Sequence, residues 1–388
     1  MSPGTSIIFY IITIACATSY YYSYLVSMLW FLFVRSPQTG DLLAAMVVMS
    51  LGVVSEIGTL KLIFMFTRVK QIRRIVDEYL QCDTLTVSGS RFSRNLMMTL
   101  RNVKKRAMLF WILLMVNGIV YIIYPAFLSG RHLIEDMYVI YGLEPMLETP
   151  NYEIAMLLMG ASVCFICFSS ANITAFIIII VGYTEAQMLS LSHELVNIWD
   201  DAIHQNFMNG TEVKIELISA LFQKSNVVFD DEVKRNINTE VKKRLVQIIQ
   251  KHARNIHLLR QVEDVFRVPI AVGFVFLIVG CIAALLGGLE NTFLEIPFAL
   301  SQVAMDCWTG QRLIDASVTY EKAVYDCKWE NFNRHNMKIV LVMLQNSQRT
   351  LTLSAGGMTM LSFSCLMSIL RSIYSANTTL RSTMKKPD

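Results

Sequence analysis

Long apolar segments constrain this chain more than any other feature of its sequence. A helix of about 20 apolar residues crosses the roughly 30 Å hydrocarbon layer of a membrane, and seven segments approach or exceed that length. Because lipid offers no hydrogen-bond partners to a backbone, each segment is expected to be helical. The predicted fold class is therefore all-α: a polytopic membrane protein with seven transmembrane helices in a single domain, residues 1–388. The predicted spans are residues 6–32, 42–66, 107–128, 154–183, 268–289, 292–309 and 351–380.

The overall composition supports the same class. Hydrophobic residues make up 54% of the 388 positions and charged residues only 16%, whereas about 25% of a typical soluble domain is charged. This balance argues against two or three soluble domains of the kind that such a length would otherwise allow. The 8 cysteines are scattered, and most lie in apolar segments, so they do not indicate a disulfide framework.

Basic residues are distributed unevenly among the connections. They cluster in residues 68–106, 200–261 and 312–349, which follow the second, fourth and sixth spans, whereas residues 129–150 contain only Arg131. Basic connections stay on the cytoplasmic side, so the N-terminus is predicted to be cytoplasmic and the C-terminus extracellular. We interpret the basic stretches as topological anchors in contact with lipid headgroups, and expect no nucleic-acid partner.

The polar residues of the chain do not form a catalytic or metal-binding pattern. The 6 histidines are dispersed, and no Gly-x-Ser-x-Gly or His-x-x-x-His occurs, so we expect neither an enzyme nor a cofactor. Glu295 and Asp306, inside the sixth span, are treated as candidate functional residues because intramembrane acids are rare. Glu56 and Lys61 in the second span leave three alternatives open: a loose pair, contacts with protein, or a snorkelling lysine.

The last span carries a stripe of hydroxyl side chains. Steps of three and four residues place them near one face of a helix. Two interpretations of the spacing remain open: the stripe lines an aqueous pore, or the hydroxyl groups bond back to carbonyl groups of their own helix. The stripe consists of Ser364, Ser368, Ser372, Ser375, Thr379 and Thr383.

The last fifth of the chain resembles the C-terminal signature of insect odorant receptors. The resemblance depends on the order and spacing of about ten positions rather than on any single motif. This part of the chain lacks the Thr-Tyr…Gln-Phe ending of the related gustatory receptors. The matching positions are Cys307-x-x-Gly310, Asp315-x-Ser317, Tyr325 with Trp329, Gln345-x-x-Gln348-Arg349, Thr352-x-x-x-Gly356, Arg371-Ser372-x-Tyr374-Ser375 and Leu380.

The resemblance implies a subunit of an odorant-gated cation channel in the plasma membrane of olfactory neurons. Four subunits of that family surround one pore made by the seventh helix, which here implies pore-lining roles for Ser372, Ser375, Thr379 and Thr383. Residues 185–261 and 312–349 would form the cytoplasmic helical anchor between subunits. The connection between spans four and five is too short for the insert of the family's co-receptor. The chain therefore resembles a tuning subunit that binds small volatile odorants in a heterotetramer with that co-receptor.

The expected ligand pocket lies in the outer half of spans two to six. This expectation combines the predicted helix directions with the resemblance, and the abundant methionines, 22 in all, suit pockets that accept several ligand shapes. The candidate ligand-binding residues are Met46, Met49, Ser50, Tyr121, Tyr124, Met156, Met159, Gly160, Phe276, Phe298 and Gln302.

Three alternative functions were weighed. A gustatory-receptor-type channel shares the architecture, but the ending argues against it. A seven-helix G-protein-coupled receptor requires an extracellular N-terminus, opposite to the predicted orientation. A transporter predicts broken helices and repeated halves, and the sequence contains no repeats.

Overall fold

The structure is a computed structural model that describes residues 7–84, 87, 89–208 and 231–384. Helices make up 85% of it, which confirms the predicted all-α class. In chain order the helices are α1 Ile7–Thr39, α2 Leu42–Thr67, α3 Val69–Thr84, α4 Arg91–Ile123, α5 Asn151–Val196, α6 Ile198–Met208, α7 Asp231–Leu286, α8 Leu289–Thr292, α9 Glu295–Tyr325, α10 Arg334–Ser347 and α11 Phe363–Met384. Two 3₁₀ turns, Tyr124–Phe127 and Trp329–Asn331, and two short strands, β1 Ser354–Ala355 and β2 Thr359–Met360, complete the described elements.

Among the described residues, five helices are long and apolar enough to cross a membrane: α1, α2, α4, α5 and α7. They coincide with the first five predicted spans, although residues 124–128 and 287–289 of those spans lie beyond the ends of α4 and α7. Most of the sixth and seventh predicted spans lies in α9 and α11, which are also helical but contain no equally apolar stretch. The count of seven spans and the orientation of the two termini remain predictions.

Several helices continue well beyond the predicted spans. Helix α5 has 46 residues and α7 has 56, lengths of about 70 and 84 Å at a rise of 1.5 Å per residue. Each helix is therefore longer than a bilayer is thick. Their extensions pack with α9 and α10 in a separate buried cluster that includes Leu191, Leu245, Tyr320 and Val340. The two predicted extensions thus contact each other, while their role as a subunit anchor stays a prediction.

The prediction of one continuous helix over residues 351–380 was wrong in its first third. Residues 354–360 form an antiparallel hairpin in which Ser354 pairs with Met360, and α11 begins only at Phe363. The turn contains Gly356 and Gly357 at φ values of 64° and 76°, a left-handed conformation that glycine adopts without a steric penalty. The turn was not predicted because the residues around the two glycines are mostly apolar and resemble part of a membrane span.

The hairpin is fixed to two of the long helices. The Gly356 amide donates to the carbonyl oxygen of Arg267 in α7 at 2.8 Å. On α9, a Cβ at Gly310 would lie 2.4 Å from the carbonyl oxygen of Leu361, so the backbones are in direct contact there. The hairpin therefore links α7 and α9 to the start of α11.

Candidate ligand-binding site

A narrow cavity lies between α1, α2, α4, α5 and α9. Its volume is about 40 Å³. Ligand sites in proteins are apolar clefts of roughly 300–1,000 Å³ with a few polar groups. The cavity has this composition but is much smaller than that range. Its lining consists of Tyr24, Leu51, Val54, Ser55, Asn117, Gly118, Tyr121, Val163, Ile166, Cys167, Leu294, Glu295 and Phe298.

Close contacts between the helices define the cavity walls. At Gly118 in α4, a Cβ would lie 2.6 Å from the sulfur of Cys167 in α5, so only glycine permits this approach. The amide nitrogen of Asn117 donates to the carbonyl oxygen of Leu294 at 3.3 Å. This bond ties α4 to the residue that precedes α9, and so positions Glu295 at the cavity.

Three polar side chains in the lining have atoms without a hydrogen-bond partner. The Ser50 hydroxyl donates to Oε2 of Glu295 at 2.7 Å, but Oε1 of the same carboxyl is unpaired. The hydroxyl groups of Tyr24 and Tyr121 are also buried and unpaired. Buried polar atoms are normally hydrogen-bonded, so these three atoms offer bonding capacity that the protein itself leaves unused.

The connection between α4 and α5 packs onto the same end of the helices. The Tyr138 hydroxyl donates to the carbonyl oxygen of Ser23 in α1, and Glu135 is only 7% exposed. Burial raises the pKa of Glu135 well above its ordinary value, and the negative charges of Glu295 and Asp136 raise this pKa further. An acidic region therefore lies beside the cavity.

Comparisons with known proteins agree with these observations. The profile of the family described as "7tm Odorant receptor" matches residues 41–374, which is most of the chain. The chain belongs to the insect odorant receptor family. Since this is a receptor family, the expectation that the chain is not an enzyme is confirmed, and odorant receptors are multi-pass membrane proteins. The match also favours the odorant-receptor interpretation over the three alternatives.

Two curated odorant receptors of Drosophila melanogaster share part of the sequence. Odorant receptor 22c is 26% identical over 135 residues, 33% of this chain and 33% of its own length. Odorant receptor 85b is 27% identical over 122 residues, 29% of this chain and 30% of its own length. The chain thus matches about a third of the length of these relatives.

Solved structures share the fold over nearly the whole chain. The olfactory receptor OR5 from Machilis hrabei has a TM-score of 0.73 at 10% identity, with 98% of this chain and 90% of that chain covered. The structure of the same receptor in complex with eugenol has a TM-score of 0.68 at 10% identity, covering 97% and 88%. At 10% identity, the similarity establishes the fold of this chain but says nothing about its ligand.

Some of the sequence-predicted ligand residues lie at the cavity. Tyr121 and Phe298 line it directly, and Ser50 reaches it through the hydrogen bond to Glu295. Gln302 is fully buried one helical turn after Phe298, and neither polar atom of its amide has a partner. Met159 is also fully buried, in the main apolar core.

Like Ser50, Met159 and Gln302, the six remaining predicted ligand residues lie outside the cavity lining. Tyr124 is 41% exposed and packs edge-on against Phe293, with ring centroids 5.3 Å apart. A Cβ on Gly160 would contact Ile134 of the α4–α5 connection at 3.9 Å. The remaining four are partly buried: Met46, Met49, Met156 and Phe276.

Sequence reasoning missed several lining residues for identifiable reasons. Tyr24 belongs to α1, whereas the expected pocket was confined to spans two to six. Asn117 is a polar residue in an apolar segment, a signal that had been available. Apolar residues such as Leu51, Val54 and Val163 carry no such signal, because a lipid-facing position and a cavity-facing position favour the same side chains.

The hydroxyl stripe of α11 faces away from the rest of the chain. Ser364, Ser368, Ser372, Ser375 and Thr379 are exposed, whereas Ile369 and Ile373 are buried on another side of the helix. The Ser372 hydroxyl donates to the Ser368 carbonyl at 3.0 Å, and the Thr379 hydroxyl to the Ser375 carbonyl at 2.9 Å. The side chain of Thr383 is outside the described residues. Bonding within the helix is therefore present, and the exposed stripe remains compatible with a pore lining.

The charged residues of the second span have partners on other helices. Lys61 forms an ion pair with Asp306 in α9, with Nζ and Oδ2 2.6 Å apart and both side chains almost fully buried. Glu56 accepts a hydrogen bond from the Tyr20 hydroxyl at 2.7 Å. Lys61 therefore neither snorkels nor pairs with Glu56. Of the open alternatives, contact with the rest of the protein is the one found.

Proposed function

We propose that this odorant receptor chain is the tuning subunit of an odorant-gated, non-selective cation channel. It works in a heterotetramer with the odorant receptor co-receptor, in the plasma membrane of olfactory neuron dendrites. The observation that carries the proposal is the cavity between α1, α2, α4, α5 and α9, which is apolar apart from a few unpaired polar atoms. Its composition is that of a site for a small volatile odorant, and at about 40 Å³ the cavity widens when such a ligand enters.

A continuous structural connection supports gating by this cavity. Glu295 and Phe298 line the cavity at the start of α9, and Gly310 further along the same helix contacts Leu361 just before α11. A ligand that shifts α9 would therefore act on the start of the proposed pore helix. Binding opens the channel only to the extent that the odorant has a higher affinity for the open state than for the closed state.

The surface of α11 supports assembly around a pore. Beside the hydroxyl stripe, Phe363, Met367 and Tyr374 expose more than half of their surface. In the complex we assign the hydroxyl stripe to the pore and these larger side chains to contacts with neighbouring subunits. The short connection between α5 and α7, compared with that of the co-receptor, supports the role of a tuning subunit.

The decisive experiment is to fill the cavity. Val163→Trp places a large ring in a lining position of α5, and Leu157→Trp adds the same ring to an exposed position of that helix, where Leu157 is 74% accessible. Both variants are expressed with an insect co-receptor, and currents are recorded against an odorant panel. Odour-evoked current should disappear only in Val163→Trp, with equal surface labelling of both variants.

Two results would contradict the proposal. Odour responses that survive in Val163→Trp would place the ligand elsewhere. Odour-evoked current from the chain expressed without any co-receptor would refute the tuning-subunit role.

A further inference from the structure

Four carboxyl side chains of the described residues are buried. They differ in whether a basic side chain neutralises them. Asp306 is paired with Lys61, and Glu185 is paired with Arg106 and Arg312. Among the ion pairs of the described residues, Glu295 and Glu135 have no cationic partner. A buried carboxyl without a partner is unfavourable, so its retention beside the cavity calls for an explanation.

Three residues that line the same cavity each carry a polar atom without a hydrogen-bond partner. Oε1 of Glu295 and the hydroxyl oxygens of Tyr24 and Tyr121 all belong to lining residues and have no hydrogen-bond partner. They come from α9, α1 and α4 respectively, so no single helix accounts for them. A ligand in the cavity would therefore meet hydrogen-bonding side chains from three different helices.

The bonding needs of these atoms select one functional group. Each tyrosine hydroxyl donates one hydrogen and accepts others. A carboxyl accepts only when ionised and also donates when neutral. A ligand hydroxyl matches all of them, because it donates to an ionised Glu295, accepts from a neutral one, and accepts from either tyrosine. An ammonium group only donates and a carbonyl or ether only accepts, so each leaves at least one of these atoms unpaired in one state of Glu295.

The rest of the lining dictates the rest of the ligand. Leu51, Val54, Val163, Ile166 and Phe298 present only aliphatic and aromatic surface. A second polar group on the ligand would therefore lose its bonds to water without replacement. We propose that the cavity recognises small apolar molecules that carry a single hydroxyl group, namely alcohols and phenols, through Glu295, Tyr24 and Tyr121. This inference rests on the proposed odorant-gated function and specifies its ligand class.

Isomeric ligand pairs test the inference. Octanol is compared with its isomer methyl heptyl ether, and ethylphenol with its isomer methylanisole, so that size and apolar surface are nearly constant. Octylamine and octanal extend the series to a donor-only and an acceptor-only group. With the full chain and a co-receptor, we expect the alcohol and the phenol to act at concentrations at least about tenfold lower than their ether isomers, the equivalent of one buried hydrogen bond.

Side-chain variants assign the preference to the three atoms. Glu295→Leu, Tyr24→Phe and Tyr121→Phe each remove one hydrogen-bonding group from the lining. Each should lower towards one the ratio of the ether concentration to the alcohol concentration that gives the same response, while the response to the ether persists and reports a folded channel. Tyr124→Phe is the matched control, because it removes a hydroxyl from a partly exposed tyrosine one helical turn from Tyr121 and outside the lining. Its ratio should remain that of the wild type.

The outcomes separate the inference from the proposed function. Equal responses to the isomers, a preference for octylamine or octanal, or an alcohol preference that survives all three variants overturns the hydroxyl inference. Each leaves the odorant-gated channel intact if Val163→Trp still abolishes the responses. If no odorant evokes any current, the proposed function fails, and the ligand class fails with it.

Discussion

Helices α2 and α9 meet at two polar contacts of opposite character. Ser50 donates to Glu295, whose second oxygen is unpaired, whereas Lys61 neutralises Asp306. The contacts are separated by the same eleven residues on each helix, 50 to 61 and 295 to 306, which corresponds to about 16 Å. One helix pair therefore holds one acid with an unpaired oxygen and one acid that is neutralised by a lysine. The difference shows that the residue opposite a buried acid decides whether that acid is neutralised.

The same pair of contacts gives the relative direction of the helices. Because both residue numbers increase together, α2 and α9 run parallel. The predicted topology also requires spans two and six to run in the same direction. The absolute orientation across the membrane, with the N-terminus cytoplasmic, stays a prediction.

The largest expected effect comes from breaking the ion pair between Lys61 and Asp306. Lys61→Met leaves the buried Asp306 carboxyl without its cation, which should cost about 3–5 kcal/mol of stability. The measurement is the thermal unfolding of the detergent-solubilised receptor complex. Lys61→Met combined with Asp306→Leu should recover most of the loss, because apolar replacements of a buried pair are often neutral. If the double variant is as unstable as the single one, the ion pair is not the cause.

The second effect concerns the end of α9 beyond Asp306. Gly310→Ala places a Cβ against the backbone of Leu361, which cannot move without shifting the hairpin, and overpacking of this kind costs about 1–3 kcal/mol. We expect reduced maximal odour-evoked current at a given surface level. Gly273→Ala in α7 is the control, since its Cβ would meet Ile57 at an ordinary 3.4 Å. Equal currents in the two variants would show that the α9–hairpin contact does not matter for gating.

The third effect comes from breaking the hydrogen bond between Ser50 and Glu295, and it should be small. Glu295→Leu removes an acid that has no cation, and the Ser50 hydroxyl still has the Val47 carbonyl at 2.8 Å as an acceptor. The change in unfolding free energy should stay within about 1 kcal/mol. Thermal unfolding under the conditions used for Lys61→Met gives the direct comparison. A loss as large as that of Lys61→Met would mean that Glu295 is a structural residue.

The smallest effect is a dependence on pH at the neighbouring acid. Burial raises the pKa of Glu135, so the folded receptor keeps this proton at pH values where the unfolded chain has released it. Stability should therefore fall as the pH rises above the ordinary value of 4.5. Glu135→Gln should be more stable than wild type at neutral pH and similar to it under acid conditions. Glu148→Gln, at an exposed position of the same connection, should leave the pH profile unchanged.

The sequence predicted the features that depend on local composition. The helical class and the five most apolar spans follow from runs of apolar residues, and Glu295 was identified because an acid is rare in such a run. The hairpin at residues 354–360 was missed, because its apolar residues continue the hydrophobic pattern and only Gly356 and Gly357 indicate a turn.

Long-range pairing explains what remained beyond prediction. Lys61 and Asp306 are 245 positions apart in the chain, and no periodicity within either helix indicates that they meet. The participation of Tyr24 in the cavity likewise depends on where α1 packs against α2 and α5. Contacts of this kind arise from helix packing, which a single sequence specifies only through the whole fold.

The hairpin before α11 also limits how that helix moves. At its start, α11 is joined to α7 and α9 through Gly356 and Leu361, and near its end Arg381 donates to the carbonyl oxygen of Leu285 in α7 at 2.6 Å. Because α11 is attached near both ends to α7, it does not swing outward as a rigid body. Rotation about its long axis and bending at its middle are the motions that these attachments leave. If α11 lines the proposed pore, a small rotation would exchange one row of side chains for another along it.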